Sequence, residues 1–171
     1  RYNRLMNSYP SYKYSGVDWI GDFPRHWYLK KFKYLFKEKK SSKNPLLSSG
    51  SISFGEVIYK DDKKIPISTK ESYQELLKGE FLVNPLNLNY DLKSLRIGKS
   101  DINVVVSPGY IILNLLEGNE PDYFQYLLRE FDIRHMKSLG QGIRQTISFN
   151  HLKDETLIYP PKDEQKKIIS F

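Results

Sequence analysis

The sequence predicts one mixed α/β (α+β) domain. A chain of 171 residues, 39% hydrophobic and 27% charged, has the size and balance of a single folded unit with its own core. Short apolar runs rich in β-branched and aromatic residues recur between turn formers, as strands do. One segment, residues 121–131, instead has apolar residues at helical spacing.

From the N-terminus, residues 15–27 mix turn formers with aromatics, through Gly16, Trp19, Gly21, Pro24 and Trp27, and read as an ordered, irregular arm. Between Trp27 and Phe36 the apolar spacing is mixed, so strand and helix both stay open as far as Lys40. Residues 41–50 form a polar loop. Ile52, Phe54, Val57, Ile58 and Tyr59 suggest a strand or hairpin that stops at the solvent-facing turn Asp61-Asp62-Lys63-Lys64. A short helix is expected from Ser68 to Gly79. Ser68 or Ser72 would cap it, with Glu71 or Glu75 three residues on and glycine just past the end.

Phe81-Leu82-Val83 reads as a buried strand, and Val104-Val105-Val106 and Tyr110-Ile111-Ile112-Leu113 as two more around the turn Ser107-Pro108-Gly109. Between them, residues 84–103 hold four asparagines with Tyr90, Lys93, Arg96 and Lys99. A polar loop of that length in a compact domain is usually functional, which makes it the first candidate recognition loop. Residues 121–131 are the clearest helix: Pro121 suits a first turn, Asp122 complements the dipole, and Phe124, Leu127, Leu128 and Phe131 share one face. Gly140-Gln141-Gly142-Ile143-Arg144-Gln145-Thr146 follows as a basic, amide-bearing loop. Residues 147–149 and 156–159 read as strands. Pro160-Pro161 ends the last of these, and 162–169 opens a helix with acids before bases.

The net charge of +7 points to a polyanionic partner. Its densest part is Lys30, Lys31, Lys33, Lys37, Lys39, Lys40 and Lys43, where seven lysines face one acid, Glu38; a solvated face is the alternative reading of this run. Thirteen tyrosines supply rigid flat surface suited to polar recognition. The chain has no cysteine, which excludes disulfides, thiolate metal sites and cysteine nucleophiles. No apolar run approaches the roughly 18 residues of a membrane span, so a cytoplasmic protein without membrane contact is expected.

Searches for catalytic patterns fail in turn. His26, His135 and His151 lack the i, i+4 pairing that sets two ligands on one helix face. Asn84-Pro85-Leu86-Asn87 superficially resembles the Asn-Pro-Pro-aromatic signature of amino-group methyltransferases, but Leu86 replaces the second proline and Asn87 the aromatic, and no glycine-rich cofactor loop follows an N-terminal strand. Pro121-Asp122 lacks the Glu-x-Lys that nuclease chemistry would add to hold magnesium. In Gly140–Thr146, glycines on both sides of Gln141 let backbone approach a phosphate, while Arg144 and Gln145 can reach a phosphate or a base edge; a structural ion pair is the competing role for Arg144.

Read together, the motifs resemble one target-recognition domain of the specificity subunit of type I restriction-modification enzymes. The opening Tyr14-Ser15-Gly16-Val17-Asp18-Trp19-Ile20-Gly21-Asp22-Phe23-Pro24-Arg25-His26-Trp27 is similar to that family's Ser-Gly-(Ile/Val)-(Glu/Asp)-Trp-(Ile/Leu)-Gly-x-(Ile/Phe)-Pro-x-His-Trp arm, the most specific of the matches. Gly79-Glu80-Phe81-Leu82-Val83-Asn84, Val106-Ser107-Pro108-Gly109-Tyr110 and Gly142-Ile143-Arg144-Gln145-Thr146 resemble its strand, turn and loop motifs in order. Tyr159-Pro160-Pro161-Lys162-Asp163-Glu164-Gln165-Lys166-Lys167-Ile168 is similar to the opening of its long spacer helix.

The resemblance implies an N-terminal extension at 1–11, a single mixed-sheet target-recognition domain with short flanking helices at 12–160, and the start of a truncated spacer helix at 161–171. It implies a chain without a catalytic centre that reads one half of a bipartite target in double-stranded DNA. Its partners would be modification (methyltransferase) subunits that use S-adenosylmethionine, and a restriction/translocase subunit that uses ATP and magnesium; this chain would hold no cofactor. Recognition segments differ among members, so DNA-contacting residues are chosen here on chemistry and loop position: Asn84, Asn87, Asn89, Tyr90, Arg96 and Lys99 from the long loop, Gln141, Arg144 and Gln145 from the glycine loop, and Ser53 and Lys60 near the hairpin. Asn and Gln suit adenine, Arg suits guanine, and Lys and Ser suit phosphate. A catalytic methyltransferase or nuclease fragment, and a protein-docking scaffold, are the competing classes.

Overall fold

The computed structural model describes residues 9–86, 95–140 and 146–170. Helices and strands combine as the sequence predicts, with the strands divided between one four-stranded sheet and four two-stranded ribbons. The central sheet runs β4 (Phe36–Glu38), β11 (Ile111–Leu115), β8 (Phe81–Val83), β9 (Ile97–Lys99), every neighbour antiparallel. Successive side chains on a strand point to opposite faces, and both faces of this sheet are covered. Phe81 and Val83 join one cluster with Phe36, Leu113 and Ile97, whereas Leu82 and Ile112 join another with Leu76, Val104 and Val106. That two-sided burial is why Phe81-Leu82-Val83 is apolar without alternation.

The first face is closed by α2 (Pro121–Arg134), which buries Tyr123, Phe124, Leu127, Leu128 and Phe131 against it. Each such side chain is worth roughly 1.5–3 kcal/mol of transfer free energy, which makes this face the main source of stability. The second face is closed by the ribbon of β7 (Gln74–Leu76) and β10 (Val104–Val106). A hairpin of β5 (Gly50–Ser53) and β6 (Glu56–Tyr59) packs over β10 and β9.

The N-terminal arm folds as a ribbon, β1 (Tyr12–Tyr14) with β2 (Asp22–Pro24), and seats Ile20, Phe23 and Trp27 in a third cluster with Ile158. The chain then enters β3 (Tyr28–Lys31), which pairs with β12 (Thr156–Tyr159), and a 3₁₀ turn at Phe32–Tyr34 leads into β4. Three short or terminal helices complete the order: α1 (Ile67–Glu71), α3 (Phe149–Leu152) and α4 (Lys162–Ile169).

The structure differs from the sequence reading in four elements, the first being the arm read as irregular over 15–27, which carries β2 in a ladder with β1. The helix expected over 68–79 is only the five residues of α1, because Gln74–Leu76 forms a ladder with Val104–Val106 and buries Leu76 completely. Residues 147–149 are not a strand: Ser148 and His151 form a capping box that starts α3, with the Ser148 N–H donating to His151 Nδ1 at 2.8 Å. The polar stretch 84–103 contains a strand, β9, whose register against β8 pairs Gly98 with Leu82. Among the described residues no helix is long and apolar enough to cross a membrane.

Candidate nucleic-acid interface

One end of the central sheet collects the ends of both segments that the sequence singles out. β8 stops at Val83, and the Asn84 N–H donates to the Arg96 carbonyl at 2.8 Å, closing the base of the long polar loop. Asn84 Oδ1 accepts the Leu86 N–H at 3.1 Å, an Asx turn that bends the chain away from the sheet. The Ile147 N–H donates to the Pro85 carbonyl at 3.3 Å, so the foot of the long loop lies against the foot of the glycine loop. Asn87, Asn89 and Tyr90, within 87–94, and Gln141, Arg144 and Gln145, within 141–145, lie outside the described residues. The Ser107-Pro108-Gly109 turn packs at the same end, where a Cβ on Gly109 would stand 3.3 Å from Leu86 Cδ1. Gln74 Nε2 holds that turn by donating to the Ser107 and Tyr110 carbonyls at 3.1 and 2.8 Å.

Of the site residues that are described, Asn84 stands at this foot, half-buried, with its side-chain oxygen used by the turn. Arg96 and Lys99, both chosen as DNA contacts, are held by partners within the fold. Arg96 is only 8% exposed; Nη1 donates to the Leu86 carbonyl at 2.7 Å, and its backbone N–H donates to Asp132 Oδ2 at 2.5 Å. Its guanidinium thus ties the two ends of the long loop together. Lys99 Nζ lies 2.5 Å from Asp122 Oδ1, so this ammonium is held against the first turn of α2. Ser53 is half-buried at the end of β5, and Lys60 is exposed just past β6, its N–H donating to the Ser49 carbonyl at 2.8 Å.

Asp132, fully buried on α2, also accepts the Ile97 N–H at 3.2 Å and faces Lys137 Nζ at 3.9 Å. Burial pushes its carboxyl above the usual aspartate range, against the pull of the Arg96 N–H and the Lys137 ammonium. It fixes where β9 begins, and hence where the long loop ends.

The lysine run follows strands and is largely engaged within the fold. Lys33 bridges to Asp154 at 2.8 Å, Lys31 donates to the Asp154 carbonyl at 3.0 Å, and Lys30 sits 3.6 Å over the Tyr159 ring. Lys39 bridges Glu80 at 2.9 Å and Glu75 at 3.4 Å, and Lys43 donates to the Ser72 carbonyl. Hydrogen bonding from Asn44, then the Lys39 charge, holds Glu75 below the usual glutamate range despite burial. Lys37 and Lys40 are exposed.

The most specific sequence motif has a structural explanation that spacing could not supply. Glu164, in the first turn of α4, accepts Trp27 Nε1–H and the Tyr9 hydroxyl on Oε2, each at 2.7 Å, and its Oε1 lies 2.5 Å from His26 Nε2. Gln165 beside it is fully buried, accepting the Glu120 N–H and donating to the Pro160 carbonyl. The arm's His-Trp and the closing Glu-Gln therefore form one joint. The other histidines also have local duties: His135 Nε2 lies 2.7 Å from Glu155 Oε2 with its ring stacked on Trp19, and His151 caps α3. Among the described residues no group of three His, Cys, Asp or Glu side chains is arranged to hold a metal ion.

No protein-family model matches this sequence, and no curated protein matches it. Solved structures do. A chain from a study of complex assembly and conformational transition of the type I R-M system superposes over 98% of this chain, with a TM-score of 0.62 at 14% identity. The HsdS subunit from Thermoanaerobacter tengcongensis superposes over 93%, with a TM-score of 0.55 at 13% identity. This chain has the fold of an HsdS domain. It spans 41% and 38% of the length of those two chains, so the likeness is to a portion of each.

Proposed function

We propose that this chain binds double-stranded DNA sequence-specifically and reads one half of a bipartite target for a type I restriction-modification complex. Methyl transfer and cleavage are then the work of partner subunits, and this chain supplies the address. The observation that carries the reading is the likeness, over nearly the whole chain, to a chain of a type I R-M system at a TM-score of 0.62 and to an HsdS subunit at 0.55. The sheet end supports it. The Ile147–Pro85 bond brings together the feet of two segments that between them carry Asn87, Asn89, Tyr90, Gln141, Arg144 and Gln145, the residue types that pair with base edges or stack on bases. In this reading those residues, with Asn84, Ser53 and Lys60, approach the DNA, while Arg96 and Lys99 set the shape of the platform.

The test uses the subunit assembled with its modification partners. Methylation-site sequencing in cells carrying the gene should yield a split motif, and the assembled complex should retard a duplex bearing that motif in preference to a scrambled one. Arg144→Ala should weaken that binding by about 1–3 kcal/mol and relax selectivity at one position. Equal retardation of the two duplexes by the unaltered complex would defeat the proposal.

A further inference from the structure

The β5–β6 hairpin turns through Phe54 and Gly55, with φ of +50° and +79°. A two-residue turn with both φ values positive is taken without strain by Asn-Gly, Asp-Gly or Gly-Gly. Phenylalanine is a poor residue for it, because its Cβ crowds the backbone in the left-handed region. Phe54 is 85% exposed, and among the described residues its ring joins none of the apolar clusters. Strain of this kind persists where the surroundings impose it and gathers at functional positions.

The surroundings impose it here. A Cβ on Gly98 would overlap the Gly55 carbonyl oxygen, and one on Gly55 would stand 3.2 Å from Leu95 Cβ. The tip is thus pressed onto β9 directly beside Leu95 and Arg96, the C-terminal foot of the long polar loop. Beneath it opens a cavity of about 260 Å³ whose lining includes Phe54, Glu56, Leu95, Asp122 and Arg129. With Glu56 and Asp122 there, the tip is no phosphate clamp. What it presents is an aromatic ring on a rigid mount.

We propose that Phe54 is a DNA-contacting wedge, its ring stacking on or inserting beside a base of the bound duplex. This rests on the DNA-binding reading above. A protruding apolar side chain unstacks a base step or stacks on an opened base without reading sequence by hydrogen bonds, so Phe54 contributes affinity and local deformation, and the loops contribute the code.

The experiment compares the unaltered chain with Phe54→Asn and Phe54→Trp, each assembled with its partner subunits, in a selection from random-sequence duplex DNA followed by titration of the selected duplex. Phe54→Asn suits the turn better, so thermal stability is expected to hold or rise while affinity falls about tenfold. Phe54→Trp should keep the affinity, and 2-aminopurine placed along the selected duplex should brighten at one step with Phe or Trp and stay dim with Asn. Unchanged affinity and fluorescence for Phe54→Asn would overturn the wedge while leaving DNA binding intact, as would loss of partner-subunit assembly in that variant. Failure of the unaltered complex to select any duplex would overturn the DNA-binding reading itself.

Discussion

At the scale of single residues, Glu164, which was not chosen from the sequence for function, joins the arm to α4 through three side chains. Burial pushes its carboxyl up, but the hydrogen bonds from Tyr9, His26 and Trp27 together outweigh that and hold it below the usual glutamate range. Its folded pKa is therefore depressed, so its contribution to stability is complete above the unfolded value of about 4.3 and disappears as pH falls through the lower folded value. Glu164→Gln should cost about 1–3 kcal/mol at neutral pH. In thermal unfolding the gap between variant and unaltered protein should close in acid; a gap independent of pH would show that the carboxylate charge is not its source. Arg96 makes the complementary point. Arginine in a polar loop suggested a base reader, yet its guanidinium is drawn to the Leu86 carbonyl and its N–H to Asp132. Arg96→Ala should then lower the melting temperature. The sequence carries charge and loop composition, but not the buried carboxylate 36 residues away that settles where Arg96 goes.

At the scale of elements, legibility followed length and periodicity. The helix at 121–131 was readable because its apolar residues repeat at helical spacing, and the strands 81–83, 104–106 and 156–159 because each is a short apolar run that buries in the core. Several short strands were not, among them two that build the core. Gln74–Leu76 hides in a segment with a good capping pattern, and pairing with β10 overrides that local preference. Ile97–Lys99 hides because its middle residue is glycine, which weakens any strand signal. The glycine is there for the hairpin: the Gly55 backbone lies where a Gly98 side chain would be. Gly98→Ala should therefore separate β9 from the hairpin and cost about 1–3 kcal/mol in chemical denaturation, as overpacking does. Gly79→Ala is a useful contrast, since its Cβ would meet nothing within 4 Å and only its φ of +91° opposes the change. A loss at Gly98 no larger than at Gly79 would mean that the contact with the hairpin is slack.

At the scale of the whole molecule, the charge of +7 is legible from composition, but its distribution is not. A run of seven lysines suggests a uniform basic face. In the fold, Lys33 and Lys39 neutralise Asp154 and the Glu75–Glu80 pair, Lys30 lies on a tyrosine ring, and Lys37 and Lys40 remain exposed on the same stretch. These groups should respond differently to removal. Lys39→Gln leaves two half-buried carboxylates facing each other without their cation, so its effect belongs to stability and should be seen as a lower melting temperature. Lys37→Gln and Lys40→Gln disturb no such cluster. If the exposed lysines lie against phosphate, each releases counterions on binding, and its removal should lower the slope of log affinity against log salt by about 1 while leaving sequence preference unaltered. Titrating the assembled complex at several salt concentrations separates these cases. An unchanged slope in the Lys37→Gln, Lys40→Gln double variant would confine the phosphate contacts to other parts of the chain and leave this stretch as a solvated flank.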